Sequence, residues 1–126
     1  MDKEQYVTHE TAQLLKEKGF DWAVLTCYQN SEFIYVPLVN WNKFSASTLC
    51  SAPTQQMAVR WVWEERGLNI NAIYGDYPSQ KKSFWMPQID SLDGCYGVDD
   101  EDFFREYDSR EECVEAALRY TLNNLI

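Results

Sequence analysis

The sequence predicts an α+β domain with elements in the order α-β-β-α-β-β-α, four strands forming a mainly antiparallel sheet packed by helices. Two observations carry this. Three stretches combine helical spacing of apolar residues with start and stop signals, and two pairs of aromatic or β-branched runs are split by polar turns. The two halves also echo each other. Lys18-Gly19-Phe20 precedes a hairpin whose second strand meets Pro37, and Arg66-Gly67-Leu68 precedes one whose second strand meets Pro87. Any helix–hairpin unit shows such an echo, so it fixes the order of elements without establishing a repeat.

In order, residues 8–18 read as the first helix. Thr8 caps it, Glu10 suits the positive N-terminal end of the dipole, Lys16 and Lys18 suit the other end, and Gly19 stops it. Its apolar content is only Ala12, Leu14 and Leu15, so it is expected to lie against a sheet edge, held by tertiary contacts. Residues 22–28 form a strand, Gln29-Asn30-Ser31 a polar turn, and residues 32–36 the returning strand. Pro37 ends that strand or marks it as an edge, because proline cannot donate to the ladder. Residues 40–50 read as a connector, with Trp41 and Phe44 plugging the core.

The central helix runs from Ser51 to Gly67. Ser51 is the candidate cap, Pro53 fits the first turn, and Gly67 suits the left-handed position after the last turn. Met57, Ala58, Trp61 and Val62 make its main apolar face; Val59 and Trp63, four apart, make a second stripe. In residues 69–74, Leu68, Ile70 and Ala72 alternate with Asn69, Asn71 and Ile73. Residues 75–79 form a turn cluster, and residues 83–86 a fourth strand closed by Pro87. Residues 90–108 read as an acidic loop. Asp90, Asp93, Asp99, Asp100, Glu101, Asp102, Glu106 and Asp108 face a single base, Arg105, and Phe103, Phe104 and Tyr107 pin its end. Ser109 and Glu112 open the last helix as a capping box. Cys113, Val114, Ala117, Leu118, Thr121 and Leu125 share its inner face, with Glu112, Glu115, Arg119 and Asn123 opposite; Glu115 and Arg119 make a favourable i,i+4 pair.

Two stretches resemble a known group. Ser51-Ala52-Pro53-Thr54-Gln55-Gln56-Met57-Ala58-Val59-Arg60-Trp61 and Glu111-Glu112-Cys113-Val114-Glu115-Ala116-Ala117-Leu118 look like the two helical signatures of small proteins encoded by phages, prophages and mobile elements of gut bacteria. The likeness covers residues 8–18 and 51–126. A more distant likeness is to the phage α-β-α sandwich domain. The resemblance implies a mobile-element origin and carries over no catalytic residue. The chain departs from the group at Trp63, where a charged residue is expected, and in residues 90–108.

The 126 residues are expected to fold as a single domain, 1–126, with a net charge of −9. That charge argues against a basic nucleic-acid groove and against docking on anionic lipid. No apolar run is long enough to span a bilayer, and Met1 to Gln5 are followed by no apolar segment of a signal peptide, so the expected location is the cytoplasm. Cys27, Cys50, Cys95 and Cys113 are widely spaced and expected to be free thiols; they have no zinc-site spacing.

Candidate chemistry is sparse. His9, the one histidine, reads as a solvated first-turn residue more readily than as a general base or ligand. Asp90-Ser91-Leu92-Asp93-Gly94 fails the calcium-loop pattern, because Leu92 and Gly94 fall where oxygen ligands belong. Asp99-Asp100-Glu101-Asp102 reads as a solvated acidic segment. A base-stacking role for the Trp-rich helix has the wrong charge sign. The expectation is therefore a non-enzymatic protein without cofactor or metal, with a protein partner or self-association, through Val59 and Trp63. The alternative is an acidic mimic of nucleic acid that inhibits a DNA-binding host protein, through Asp99, Asp100, Glu101 and Asp102.

Overall fold

The computed structural model describes residues 5–46 and 48–126. Met1 to Glu4, read above as carrying no signal segment, and Ser47 of the connector lie outside the described residues. The protein is α+β, with three helices and two three-stranded antiparallel sheets instead of one four-stranded sheet. The chain forms two compact units, divided between Ala58 and Val59.

The first unit holds α1 (His9–Glu17), β1 (Val24–Gln29), β2 (Glu32–Val39) and β3 (Leu49–Ser51). Thr8 caps α1, its hydroxyl accepting from the Thr11 amide at 3.3 Å. Asn30 and Ser31 join β1 to β2 with φ of 51° and 67°, the two left-handed residues of a tight hairpin whose twist matches its strands. The strand order is β2-β1-β3, so β2 is an edge. Pro37 lies inside this edge strand, where its missing donor breaks no ladder. It falls where the register slips: Val24 opposes Val39 but Thr26 opposes Tyr35, so β2 carries the extra residues of an irregularity.

The connector contains β3, which the sequence reading missed because three residues cannot show alternation. Asn42 organises it. Its side-chain amide donates to the Phe20 carbonyl at 2.9 Å, and its Oδ1 accepts from the Ser51 amide at 2.8 Å. Lys16 donates to the Ala46 and Leu49 carbonyls at 2.7 and 2.6 Å, tying α1 to the edge formed by β3.

Ser51 is therefore not a helix cap. It pairs with Cys27 as the last residue of β3, its amide is taken by Asn42, and its buried hydroxyl has no hydrogen-bond partner. The cap of α2 (Gln55–Arg66) is Thr54, whose Oγ1 accepts from the Met57 amide at 3.1 Å. Ala58, Trp61 and Val62 are buried and Met57 is partly covered, as the main stripe requires. Gly67, with φ +70°, ends the helix.

The second unit contains β4 (Asn69–Tyr77), β5 (Lys82–Ser91), β6 (Gly94–Tyr96) and α3 (Arg110–Asn124). Its sheet has the order β4-β5-β6 and α3 packs across β4 and β5. Ile70, Pro87 and Ile89 on one face of the sheet are buried, as are Val114, Ala117, Leu118 and Leu122 on the helix. Ser109 caps α3, its hydroxyl accepting from the Glu112 amide at 3.1 Å. One helix assignment is corrected: Glu115, expected on the outer face, is only 6% exposed. It adjoins Val114 on a helix whose buried arc extends to Leu122, wider than one stripe.

Pro87 does not close β5; it pairs with Ala72 in mid-strand. Backbone parity explains how. Trp85 exchanges two hydrogen bonds with Tyr107, at 2.9 and 2.8 Å, on the side of β5 away from β4. Two residues on, Pro87 turns its nitrogen to that same side, and the short β6 begins pairing only at Ile89. The missing donor therefore faces a gap between two partners and breaks no ladder.

Candidate functional site

The second sheet also has a face opposite Ile70 and Ile89. Directly opposed residues share a face, so Ile73 with Met86, Asn71 with Gln88, Gly75 with Phe84 and Asp90 with Cys95 belong to the alternate set. This face is open: Ile73 is 48% exposed, Cys95 and Tyr77 are exposed, and Met86, Gln88 and Phe84 are partly covered. Phe84 lies over Gly75, where any Cβ would collide with its ring, and Tyr77 packs beside it with ring centroids 5.0 Å apart. The Tyr77 hydroxyl donates to the Glu106 carboxylate, which raises the Tyr77 pKa by stabilising the protonated phenol.

A groove of about 400 Å³ runs along this face. Ile73, Met86, Gln88 and Cys95 line it from the strands, Val98 and Phe104 from the segment that follows, and no lining residue carries charge. Cys95, Tyr96 and Val98 also border a second, shallower hollow of about 740 Å³ whose remaining wall includes Asp99, Asp100, Glu101 and Asp102. The apolar groove and the acidic segment thus share an edge.

The acidic segment is built, not loose. Asp100 Oδ1 accepts from the Asp102 amide at 3.0 Å and the Phe103 amide at 3.3 Å, holding the turn in shape. Phe103 is buried and stacks on Tyr120 with centroids 4.3 Å apart, and the buried Tyr107 donates to the Phe103 carbonyl at 2.8 Å. The aromatic residues expected to pin this stretch do so, apart from Phe104, which lines the groove. Arg105 and Arg119 border Asp100 and Asp102 in a neighbouring cleft. Among the described residues no ion pair engages Asp99, Glu101 or Asp102.

Of the other sequence-nominated residues, only Cys95 lines the groove. Trp63 is 50% exposed and Val59 is partly covered, on α2. His9 is partly covered, its ring 5.0 Å from that of Tyr28. Cys27, Cys50 and Cys113 are buried thiols and Cys95 is an exposed one. Burial pushes Cys50 and Cys113 up to about 11 and also raises Cys27. Among the described residues no three or more His, Cys, Asp or Glu side chains are grouped to hold a metal ion, and no helix is long and apolar enough to cross a membrane.

Compared with protein-family models, with curated proteins and with solved structures, the chain gives no match. Its functional reading rests on its own surface. Sequence reasoning nominated the acidic half of that surface but missed Met86, Gln88 and Phe104. The available signal was the alternation that set Ile73 apart from Ile70.

Proposed function

We propose that this chain is a non-enzymatic accessory protein that works by holding a protein partner, and that the open face of the second sheet is where it does so. One observation carries this: an uncharged, largely apolar groove is left uncovered on a sheet whose other face is packed, and it continues into carboxylates that have no ion pair among the described residues. Exposed apolar side chains gathered on one face are the usual mark of a contact surface. The likeness of the α2 and α3 sequences to proteins of phages and mobile elements supports such an origin, with action in the host cytoplasm. The excess of acidic residues speaks against direct binding to nucleic acid or to an anionic membrane.

The test is photocrosslinking from a photoreactive residue placed at Ile73, in cells that make the protein. Discrete protein adducts are expected from position 73 and none from the exposed Gln13 of α1. Absence of adducts at position 73, with the variant folded, overturns the reading.

A second reading, the acidic mimic, draws on the exposed Asp99, Glu101 and Asp102. It requires salt-sensitive retention of a DNA-binding protein by the acidic segment alone, unaffected by changes in the groove.

A further inference from the structure

The groove and the acidic segment together define the chemistry of what binds there. Resting on the protein-contact reading above, we infer that the occupant is an extended, cationic-apolar segment of a partner protein, its apolar side chains on Ile73, Met86 and Phe104 and its lysines or arginines on Asp99, Glu101 and Asp102. Charge complementarity across a shared edge identifies this occupant. Nine residues line the groove without a charge, and the adjoining hollow shows four acids and no base. A neutral apolar partner would leave those carboxylates facing its apolar surface, at a desolvation cost. A purely cationic partner would leave the apolar groove in water. A segment carrying both satisfies both halves.

The extended form follows from the floor. Four consecutive residues of β5, 86–89, line the groove over the stretch where Pro87 has no N–H to offer and β6 begins pairing only at Ile89, so the occupant lies beside extended backbone. In an extended segment alternate side chains point the same way, so one set meets the apolar floor while a flanking residue reaches the acidic turn. Asp100 is excluded from the charge set because its carboxylate is committed to the turn amides.

The probe is a fluorescent peptide of alternating lysine and leucine, about ten residues long to match the strands, titrated into the full chain and followed by anisotropy. Two companions separate the terms: an all-lysine peptide and a glutamine–leucine peptide of the same length. The lysine–leucine peptide is expected to bind at least about tenfold more tightly than either companion. Met86→Lys and the triple change Asp99→Asn, Glu101→Gln, Asp102→Asn should each weaken it by about tenfold or more, and only the triple change should flatten the salt dependence. Circular dichroism identifies unfolded variants; for those, Ile73→Ser replaces Met86→Lys, and the wild-type salt series replaces the triple change. Equal binding of the all-lysine peptide, or indifference to the groove variant, overturns the inference. It is also overturned, with the protein-contact reading intact, if the adducts from position 73 map to neutral or acidic partner segments; no adducts at all would remove both.

Discussion

The two hairpins are built to the same local recipe and end in different sheets, and the difference lies at their prolines. In the first unit the third strand joins β1, which leaves the strand holding Pro37 as an edge. There proline sits at a register slip and blunts an edge that could otherwise pair with another chain. In the second unit β6 folds back onto β5, so the strand holding Pro87 becomes central. A central strand tolerates proline only where a donor is not needed, and that place is the gap between Tyr107 and β6. One proline protects an edge; the other marks the floor of a groove.

The largest expected effect separates the two faces of the second sheet. Ile89→Ala, on the packed face, should cost about 2–5 kcal/mol in denaturant unfolding. Met86→Ala, on the open face, should cost under about 1 kcal/mol although methionine is as large. Equal costs would mean that the open face is covered in the folded chain.

Capping gives the next contrast. Thr54→Ala should destabilise by about 1 kcal/mol through loss of the α2 cap. Ser51→Ala should be neutral or slightly stabilising, because it removes a buried hydroxyl that has no partner. The reverse order would restore Ser51 as the start of the helix.

The buried thiols predict a pH dependence of definite sign. Burial pushes the Cys50 and Cys113 thiols up to about 11 in the folded chain, above the ordinary thiol value of 9.0. The unfolded chain therefore loses those protons first, and stability should be full below about pH 9 and fall as pH rises toward about 11. Melting temperatures across that window check this, and Cys113→Ala should make the fall shallower.

Smaller effects concern association. Pro37→Val should restore an edge donor and increase self-association in light scattering, while Pro87→Val should not.

How much of this could be read from the chain depends on the range of the signal. Thr8, Ser109, Gly19 and Gly67 announce helix ends locally, and the structure uses them so. The hairpin at Asn30-Ser31 was equally legible. Partition of the strands into two sheets was not, because it depends on β3 and β6, each three residues long and recruited by tertiary pairing. Ser51 misled because Ser-x-Pro looks like a helix start; only the pairing with Cys27 shows that it is still strand. The acidic half of the candidate site was visible as composition. The apolar half was not, since Met86 and Phe104 join it only through register and a turn.

The central claim is that the open face of the second sheet is occupied by a partner in the cell. Cys95 reports on it directly, because it is the exposed thiol on that face while Cys27, Cys50 and Cys113 are buried references. The measurement is the rate of Cys95 alkylation in intact producing cells, relative to the same protein purified. Slow alkylation of Cys95 is expected in the cell and fast alkylation after purification, with the other three thiols slow in both. Equal Cys95 rates in the two settings would contradict it.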